Sequence, residues 1–244
     1  MLAEDAAQQV ISQNLANAGT TGYKQEIPRF ATFEENLIAC SSDQGAPALG
    51  SMGNGTDMTG TFTDLSDGPL QNTGNNLDIA LRGDAYLALQ TNQGVMYSRD
   101  GALTLGADGA LVQATSGLPI LDANGRKITI SGTPKSITIQ PNGNVDADGQ
   151  TAGTIALYAV TSEDSPTKMG GNLISTSVQP AVIDPTKTEL PPIMSGFLEG
   201  SNVNIVQEMV TMIACTRAYE ANAKTLQAHD ETLEKAVSDV GKVT

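Results

Sequence analysis

The sequence predicts a mixed α and β chain: an irregular antiparallel β-domain inserted between N- and C-terminal helices that pair as a coiled coil, joined by extended connectors. Three observations predict it. Near the C-terminus, apolar residues recur at alternating steps of four and three, the spacing of a helix seam. A shorter apolar face with helical spacing opens the chain. Between them, short strand-like runs alternate with Asn-Gly, Asp-Gly and Gln-Gly dipeptides, which favour tight hairpin turns. The reading assigns residues 1–25 and 201–244 to a terminal helical domain, 26–75 and 170–200 to the connectors, and 76–169 to the β-domain.

The first element is the N-terminal helix. Ala3, Ala7, Ile11, Leu15 and Ala18 share a face, with Val10 beside it, so a helix runs from residue 2 to about 17. Asn17 and Gly19 supply its stop, and "TTGY" supplies a turn. The face is small and lacks an N-cap, so alone in water this helix is marginal. Next comes a low-hydrophobicity stretch, "SSDQGAPALGSMGNGTDMTG", rich in Gly, Ser, Thr and Asp. The β-domain follows, with "DAYLALQ", "VMYSRDG", "GALTLGADGALVQ", "LPILDANGRKITI", "SITIQPNGNVDA" and "GTIALYAV" as its runs. No helical pattern interrupts them, which points to a sandwich or barrel-like meander. Residues 162–196, leading into and forming most of the return connector, hold Pro166, Pro180, Pro185, Pro191 and Pro192 and few strand signals.

The last element is the long helix around "EMVTMIACTRAYEANAKTL". From Ile205 the seam positions are Ile205, Met209, Met212, Thr216, Tyr219, Ala223, Leu226, Asp230, Leu233, Val237 and Val240. Only Thr216 and Asp230 are not apolar, and no Pro or Gly interrupts 201–240. A single helix docked on a sheet is the competing reading, but seams of this length favour another helix. Ser201 or Asn202 is placed to N-cap it, Glu208 lies near the positive end of its macrodipole, and Gly241 is its expected stop, with Lys235 and Lys242 near the negative end. The helix-pairing seam is therefore Val10, Ile11 and Leu15 against Ile205, Met209, Met212, Tyr219, Leu226, Leu233 and Val237.

Composition narrows the function classes. Lys plus Arg total 13 against 27 for Asp plus Glu, a net charge of −14. Phosphate-rich partners need a basic footprint, so this balance argues against a nucleic-acid partner. No apolar run reaches the length of a bilayer span. The start "MLAEDAAQQV" has no basic region ahead of an apolar core, so it is not a signal peptide. By this reading alone the chain is cytosolic. Cys40 and Cys215 stand far apart in unlike contexts and read as two isolated thiols. His229 is the one histidine, so no Ser–His or Cys–His arrangement is supported by a second. No phosphate-loop or dinucleotide motif follows a strand. Asn144, Asp146, Asp148 and Gly149 match the opening of a calcium loop, but Ile155 stands where its bidentate Glu belongs, so a β-turn is the better account. No catalytic residue, cofactor or metal is implied.

Four stretches carry a family resemblance. "VISQNLANAGTTGYKQ" and "GFLEGSNVNIVQEMVTMIACTRAYEANAKTLQAHDETL" resemble the paired terminal signatures of the bacterial flagellar basal-body rod and hook family. "GPLQNTGNNLDIALRGDAYLALQ" and "MYSRDGALTLGADGALVQATSGLPIL" resemble the middle segment of its rod proteins, in the same order. Asn14, Leu15, Ala16, Asn17, Thr21, Gly22, Tyr23 and Lys24 stand at the family's N-terminal turn. Leu198, Glu199, Ser201, Asn202, Val203, Arg217, Tyr219, Glu220 and Asn222 stand at its C-terminal counterpart. Proximal and distal rod proteins share these motifs; "LEGSNVN" and the modest length lean toward the proximal type. The family carries further helical residues ahead of the segment matching Met1, and often has Gly where Ala85 stands.

The resemblance implies a structural protein, not an enzyme. Family members leave the cell unfolded through the flagellar type III apparatus without a cleaved signal, which overrides the cytosolic reading. They polymerise into a rod that transmits torque across the periplasm, with terminal helices lining the tube and the β-domain facing outward. Implied partners are copies of itself, other flagellar axial (rod and hook) proteins and the export apparatus. Asn14, Asn17, Thr21, Gly22, Tyr23, Lys24, Glu199, Ser201, Asn202, Arg217, Glu220 and Asn222 form the expected assembly motif. Two other classes compete. A secreted β-domain binding module on a helical stalk predicts an exposed aromatic cluster on the β-domain. A rod-associated peptidoglycan hydrolase needs a carboxylate pair in a cleft.

Overall fold

The computed structural model describes residues 1–32, 36–39, 48–52, 55–130, 132, 134, 136–161, 166–170, 172–183 and 192–241. Cys40, Lys242 and part of each connector lie outside these residues. The described chain is mixed α and β, with one helix near each terminus and antiparallel sheets between them. It divides into two compact units. Unit 1 comprises Met1–Leu15, Glu26–Phe62 and Asn204–Thr244; unit 2 comprises Ala16–Gln25 and Thr63–Val203.

In unit 1, helix α1 spans Leu2–Ala16 and helix α2 spans Ile205–Gly241. Strand Glu26–Thr32 pairs with Thr56–Thr63, and Asn36–Ala39 pairs with Ala48–Met52. Strands therefore occupy much of the stretch read as the first connector. Arg29 lies over the Phe62 ring, 4.7 Å from its centroid. Asn14, buried on α1, binds the Glu26 backbone twice: its Nδ2 donates to the Glu26 carbonyl (2.8 Å) and its Oδ1 accepts the Glu26 N–H (3.0 Å). One side chain thus does for the first strand residue what a neighbouring strand would do.

The centre of unit 2 is a six-stranded antiparallel sheet. Its spatial order is Thr167–Lys168, Leu173–Ser175, Gly94–Ser98, Ala85–Thr91, Leu157–Ala159, Ala181–Ile183. Strand Ala85–Thr91 is apolar on both faces, and the pleat splits it between two cores. Ala85, Leu87 and Leu89 join Ile79, Leu81, Leu111, Ile120, Ile155 and Ile193. Tyr86 and Ala88 join Tyr97, Tyr158, Val160 and Ile174 on the other side. Tyr97 and Tyr158 meet with ring centroids 5.3 Å apart. Smaller antiparallel pairs surround the sheet: Ile79–Leu81 with Ile193–Ser195, Leu70–Asn72 with Phe197–Glu199, and Leu103–Leu105 with Leu111–Gln113.

The calcium-like stretch is a hairpin. Asn144–Ala147 pairs with Ile137–Ile139 and Gln150–Thr154, and the turn residues Asp148 and Gly149 take φ of 50° and 83°. Its side chains serve the hairpin. Asp146 accepts from Gln140 and from Thr151 (2.9 Å), Asp148 accepts the Ser136 N–H (3.0 Å), and Asn144 accepts from Thr154 (2.8 Å).

Candidate assembly site

The predicted seam residues divide between buried or half-buried positions on α1 and mostly exposed positions on α2. On α1, Ala3, Ala7, Val10 and Ile11 are buried and Leu15 is half-buried. The helices touch where the Cys215 thiol donates to the Glu4 carbonyl (3.3 Å) and Asn222 Nδ2 donates to Glu4 Oε1 (2.7 Å). That hydrogen bond holds the Glu4 carboxyl below its ordinary value. Burial and the Glu4 charge push the Cys215 thiol up. The inward face of α2 is accordingly Glu208, buried, and Met212, Cys215, Thr216 and Ala223, half-buried.

Length limits how far one chain can cover this face. At the helical rise, the 15 residues of α1 span about 22 Å and the 37 of α2 about 55 Å. From Lys224 to Ser238 every described side chain is exposed, including Leu226, Leu233 and Val237. Ile205, Met209 and Tyr219, also placed in the seam, are exposed as well. Sequence reasoning missed a second stripe: Val206, Val210 and Ile213, with Met209 beside them, stand exposed on another face of α2. Counting by four and three from 206 instead of 205 finds it.

The helix starts differently from the sequence expectation. Asn204 is the N-cap, its Oδ1 accepting the N–H groups of Val206 (3.1 Å) and Gln207 (3.2 Å). Ser201 and Asn202 are engaged elsewhere. Ser201 Oγ accepts the Val203 N–H (3.2 Å), while Asn202 accepts the Gln25 N–H (2.7 Å) and donates to Asp64 O (3.0 Å). At the other end Gly241 is the last residue of the helix.

Most of the remaining motif residues meet inside unit 2. Segment Ala16–Gln25 turns at Gly22, whose φ of +65° suits glycine; a Cβ there would lie 2.5 Å from Asp100 N. Gly22 N–H donates to the Glu199 carbonyl (2.8 Å) and Asn202 N–H to Tyr23 O (3.3 Å). Thr20 donates to the Asn17 side chain (3.3 Å), and Thr21 to the buried Asp100 carboxylate (2.7 Å), which also accepts from Thr115 (2.6 Å). Tyr23 is buried, with Lys168 Nζ 3.5 Å from its ring centroid.

Four charges converge beside it. Glu199 Oε1 accepts from Lys24 Nζ (2.8 Å) and Gly68 N–H (2.9 Å), and Oε2 accepts from Arg99 Nε (2.6 Å). Lys24 also donates to Ser66 O (2.6 Å). Arg99 also donates to Asp67 and to the carbonyls of Gly83 and Ala85, and lies over the Tyr86 ring. Side-chain exposure is only 1–2% for Lys24, Arg99 and Glu199, against 61% for Asp67. Burial alone pushes the Glu199 carboxyl up, but Arg99, Gly68 N–H and Lys24 outweigh it and hold it below the ordinary value. Lys24 is also lowered, first by burial and then by Arg99, against the pull of Glu199. Arg99 is therefore the main counterion of Glu199 and the main charge opposing Lys24. Burial also pushes the Tyr86 hydroxyl well up.

The structure thus joins Thr21, Gly22, Tyr23, Lys24, Glu199 and Asn202 with Asp67, Arg99 and Asp100, which sequence reasoning missed. A basic and an acidic residue directly after the apolar "VMYS" run were the available signal. Asn14 and Asn222 act in unit 1, while Arg217 and Glu220 are exposed on α2. The β-domain tyrosines, Tyr86, Tyr97 and Tyr158, are buried, so the described residues lack the exposed aromatic cluster that a binding module predicts.

Helices and motif loops from both ends of the sequence, with an antiparallel β-region between them along the chain, define the class of chain. Three family profiles match it: "Flagella basal body rod protein" over residues 1–24, "Flagellar hook protein FlgE/F/G D1 domain" over 80–147, and "Flagellar basal body rod FlgEFG protein C-terminal" over 194–239. The chain is 32% identical to flagellar basal-body rod protein FlgG of Bacillus subtilis (strain 168), covering 94% of this chain and 91% of that one. It is 32% identical to flagellar basal-body rod protein FlgF of Caulobacter vibrioides (strain ATCC 19089 / CIP 103742 / CB 15), covering 96% and 91%. It is 29% identical to FlgF of Rhizobium meliloti (strain 1021), covering 95% and 90%. The chain belongs to the flagellar basal-body rod protein family.

Proposed function

We propose that this protein is a structural subunit of the flagellar basal-body rod, without catalytic activity, which polymerises through its terminal helices into a tube that transmits torque across the periplasm. α1 and α2 form the coiled-coil joint of each subunit, and the two ends belong to one helical domain apart from the 76–169 β-domain. Export proceeds through the flagellar type III apparatus without a cleaved signal peptide. Partners are further copies and other axial proteins of the rod and hook.

The observation that supports this reading is the uncovered apolar surface of α2. Val206, Val210, Ile213, Leu226, Leu233 and Val237 are all exposed, and they recur along a helix far longer than its partner α1. A lone chain gains little from ordering such a helix. A repeated head-to-tail contact that does not close gives a helical assembly. Arg217 and Glu220, exposed on α2, are placed for polar contacts between subunits.

The test is a chromosomal Leu226→Glu/Leu233→Glu variant, both sites being exposed and outside any described core. The expected result is a chain that is made and folded while basal bodies in electron micrographs lack the rod segment and swimming is lost. Normal rods and motility in that strain would overturn the reading.

A further inference from the structure

Segments Ala16–Gln25 and 198–203 are tied to the rest of unit 2 by a set of polar contacts, beside the buried Tyr23 and Val203 and the pairing of Leu198 and Glu199 with Gln71 and Leu70. Glu199 stands at their centre. Its backbone carbonyl accepts the Gly22 N–H, and its carboxylate accepts from Lys24 in one segment, from Gly68 in the 64–69 loop and from Arg99 after strand Gly94–Ser98. The charged groups that face it are Lys24, Arg99 and, through Arg99, Asp67; Tyr86 and Asp84 lie beyond Arg99. Asp100 faces Thr21 separately. Since Asp67 is largely in solvent, Glu199 is the buried anion between two buried cations.

We propose that Glu199 works as an acid-operated clasp: uptake of one proton by its carboxylate releases Ala16–Gln25 and 198–203 while the six-stranded sheet stays folded. Removing that charge leaves Lys24 and Arg99 buried with only the exposed Asp67 to balance them, and an uncompensated buried charge is strongly unfavourable. The sheet depends on Glu199 less, because its two cores are built from apolar and tyrosine side chains and it meets the charge set through Arg99 at the Ala85 carbonyl and the Tyr86 ring.

The direction in pH follows from the geometry. Glu199 binds its proton more weakly in the closed state than in the open one. The clasp is therefore fully shut above about pH 4.3, the ordinary glutamate value. It loosens as pH falls below that, until the lower closed-state value is passed. One proton per opening makes the opening equilibrium rise about tenfold per pH unit across this window.

Amide exchange by NMR on the whole chain, corrected for intrinsic rates and run from about pH 6 to about pH 3, tests this. Gly22, Gln25, Gly68 and Asn202 N–H groups should lose protection with the one-proton slope, while Leu87, Ala88 and Tyr158 N–H groups keep theirs. In Glu199→Gln the segments should be open at neutral pH and show no slope. Two milder variants give opposite shifts. Lys24→Met removes a favourable cation, so the rise levels off at a higher pH than in the wild type. Asp67→Asn, at an exposed site, removes an opposing anion, so it levels off at a lower pH. The proposal is overturned if segment and sheet lose protection together, or if no loss occurs. It is equally overturned if the slope survives in Glu199→Gln, which would move the trigger to Asp100, or if the milder variants shift the same way.

Discussion

Replacing Arg99 by Met removes the guanidinium from the buried charge set while keeping most of its aliphatic volume. Glu199 loses its bond at 2.6 Å and keeps only Lys24 and Gly68 N–H. The carbonyls of Gly83 and Ala85 lose a donor, and Asp67 loses its partner. Removing one member of a buried ion pair costs about 3–5 kcal/mol, because the survivor stays buried. Lys24→Met is the informative comparison. It removes two hydrogen bonds, but Arg99 still neutralises Glu199 and a repelled like charge disappears. Its cost should be about 1.5–3 kcal/mol, the scale of a hydrogen bond to a charged group, because the lost repulsion offsets part of the two bonds. Domains of this size shift in melting temperature by about 2–4 °C per kcal/mol, so Arg99→Met should melt about 6–20 °C lower and Lys24→Met about 3–12 °C lower. Four of the five tyrosines lie in unit 2, so urea unfolding followed by tyrosine emission reports chiefly on it. Equal m-values would show that stability, and not compactness, has changed. A Lys24→Met variant as unstable as Arg99→Met, or more so, would refute the assignment of Arg99 as principal counterion.

Three further outcomes are expected. Gly22→Ala must hold a positive φ and push against the Asp100 backbone, so it should destabilise unit 2 by about 2 kcal/mol or more, read as a lower urea midpoint. Asn204→Ala removes the N-cap of α2 and should cost about 1 kcal/mol, seen as lower helical circular dichroism on heating, whereas Ser201→Ala should leave that helix signal unchanged. The Cys215 thiol is raised by burial and by Glu4, so its alkylation should reach half its limiting rate at a higher pH than a free cysteine; Glu4→Gln should lower that pH.

Local pattern was enough for the two helices and the hairpin turns, but not for the strands within the stretches read as connectors. The helix expected from 2 to about 17 is Leu2–Ala16, because apolar spacing along one helix needs no distant partner to be read. Gly109, Gly125, Gly143 and Gly149, each after Asp or Asn, take positive φ at turns between strands, as their dipeptides predict. Family membership was legible for a related reason: each terminal motif is a short contiguous string.

What the motif residues touch was decided only by the tertiary structure. Lys24 and Glu199 are 175 positions apart, and Arg99 reaches the same carboxylate from a third segment. No local spacing encodes such a meeting. Asn202 reads as a helix cap beside α2, yet partners at Gln25 and Asp64 claim it and leave the cap to Asn204. Likewise, sequence set the apolar face of α2 but not how little of it one chain can cover, since that depends on the length of the partner helix. Periodicity is a property of a single segment; burial and ion pairing belong to segments brought together, and their energies exist only once the chain has folded.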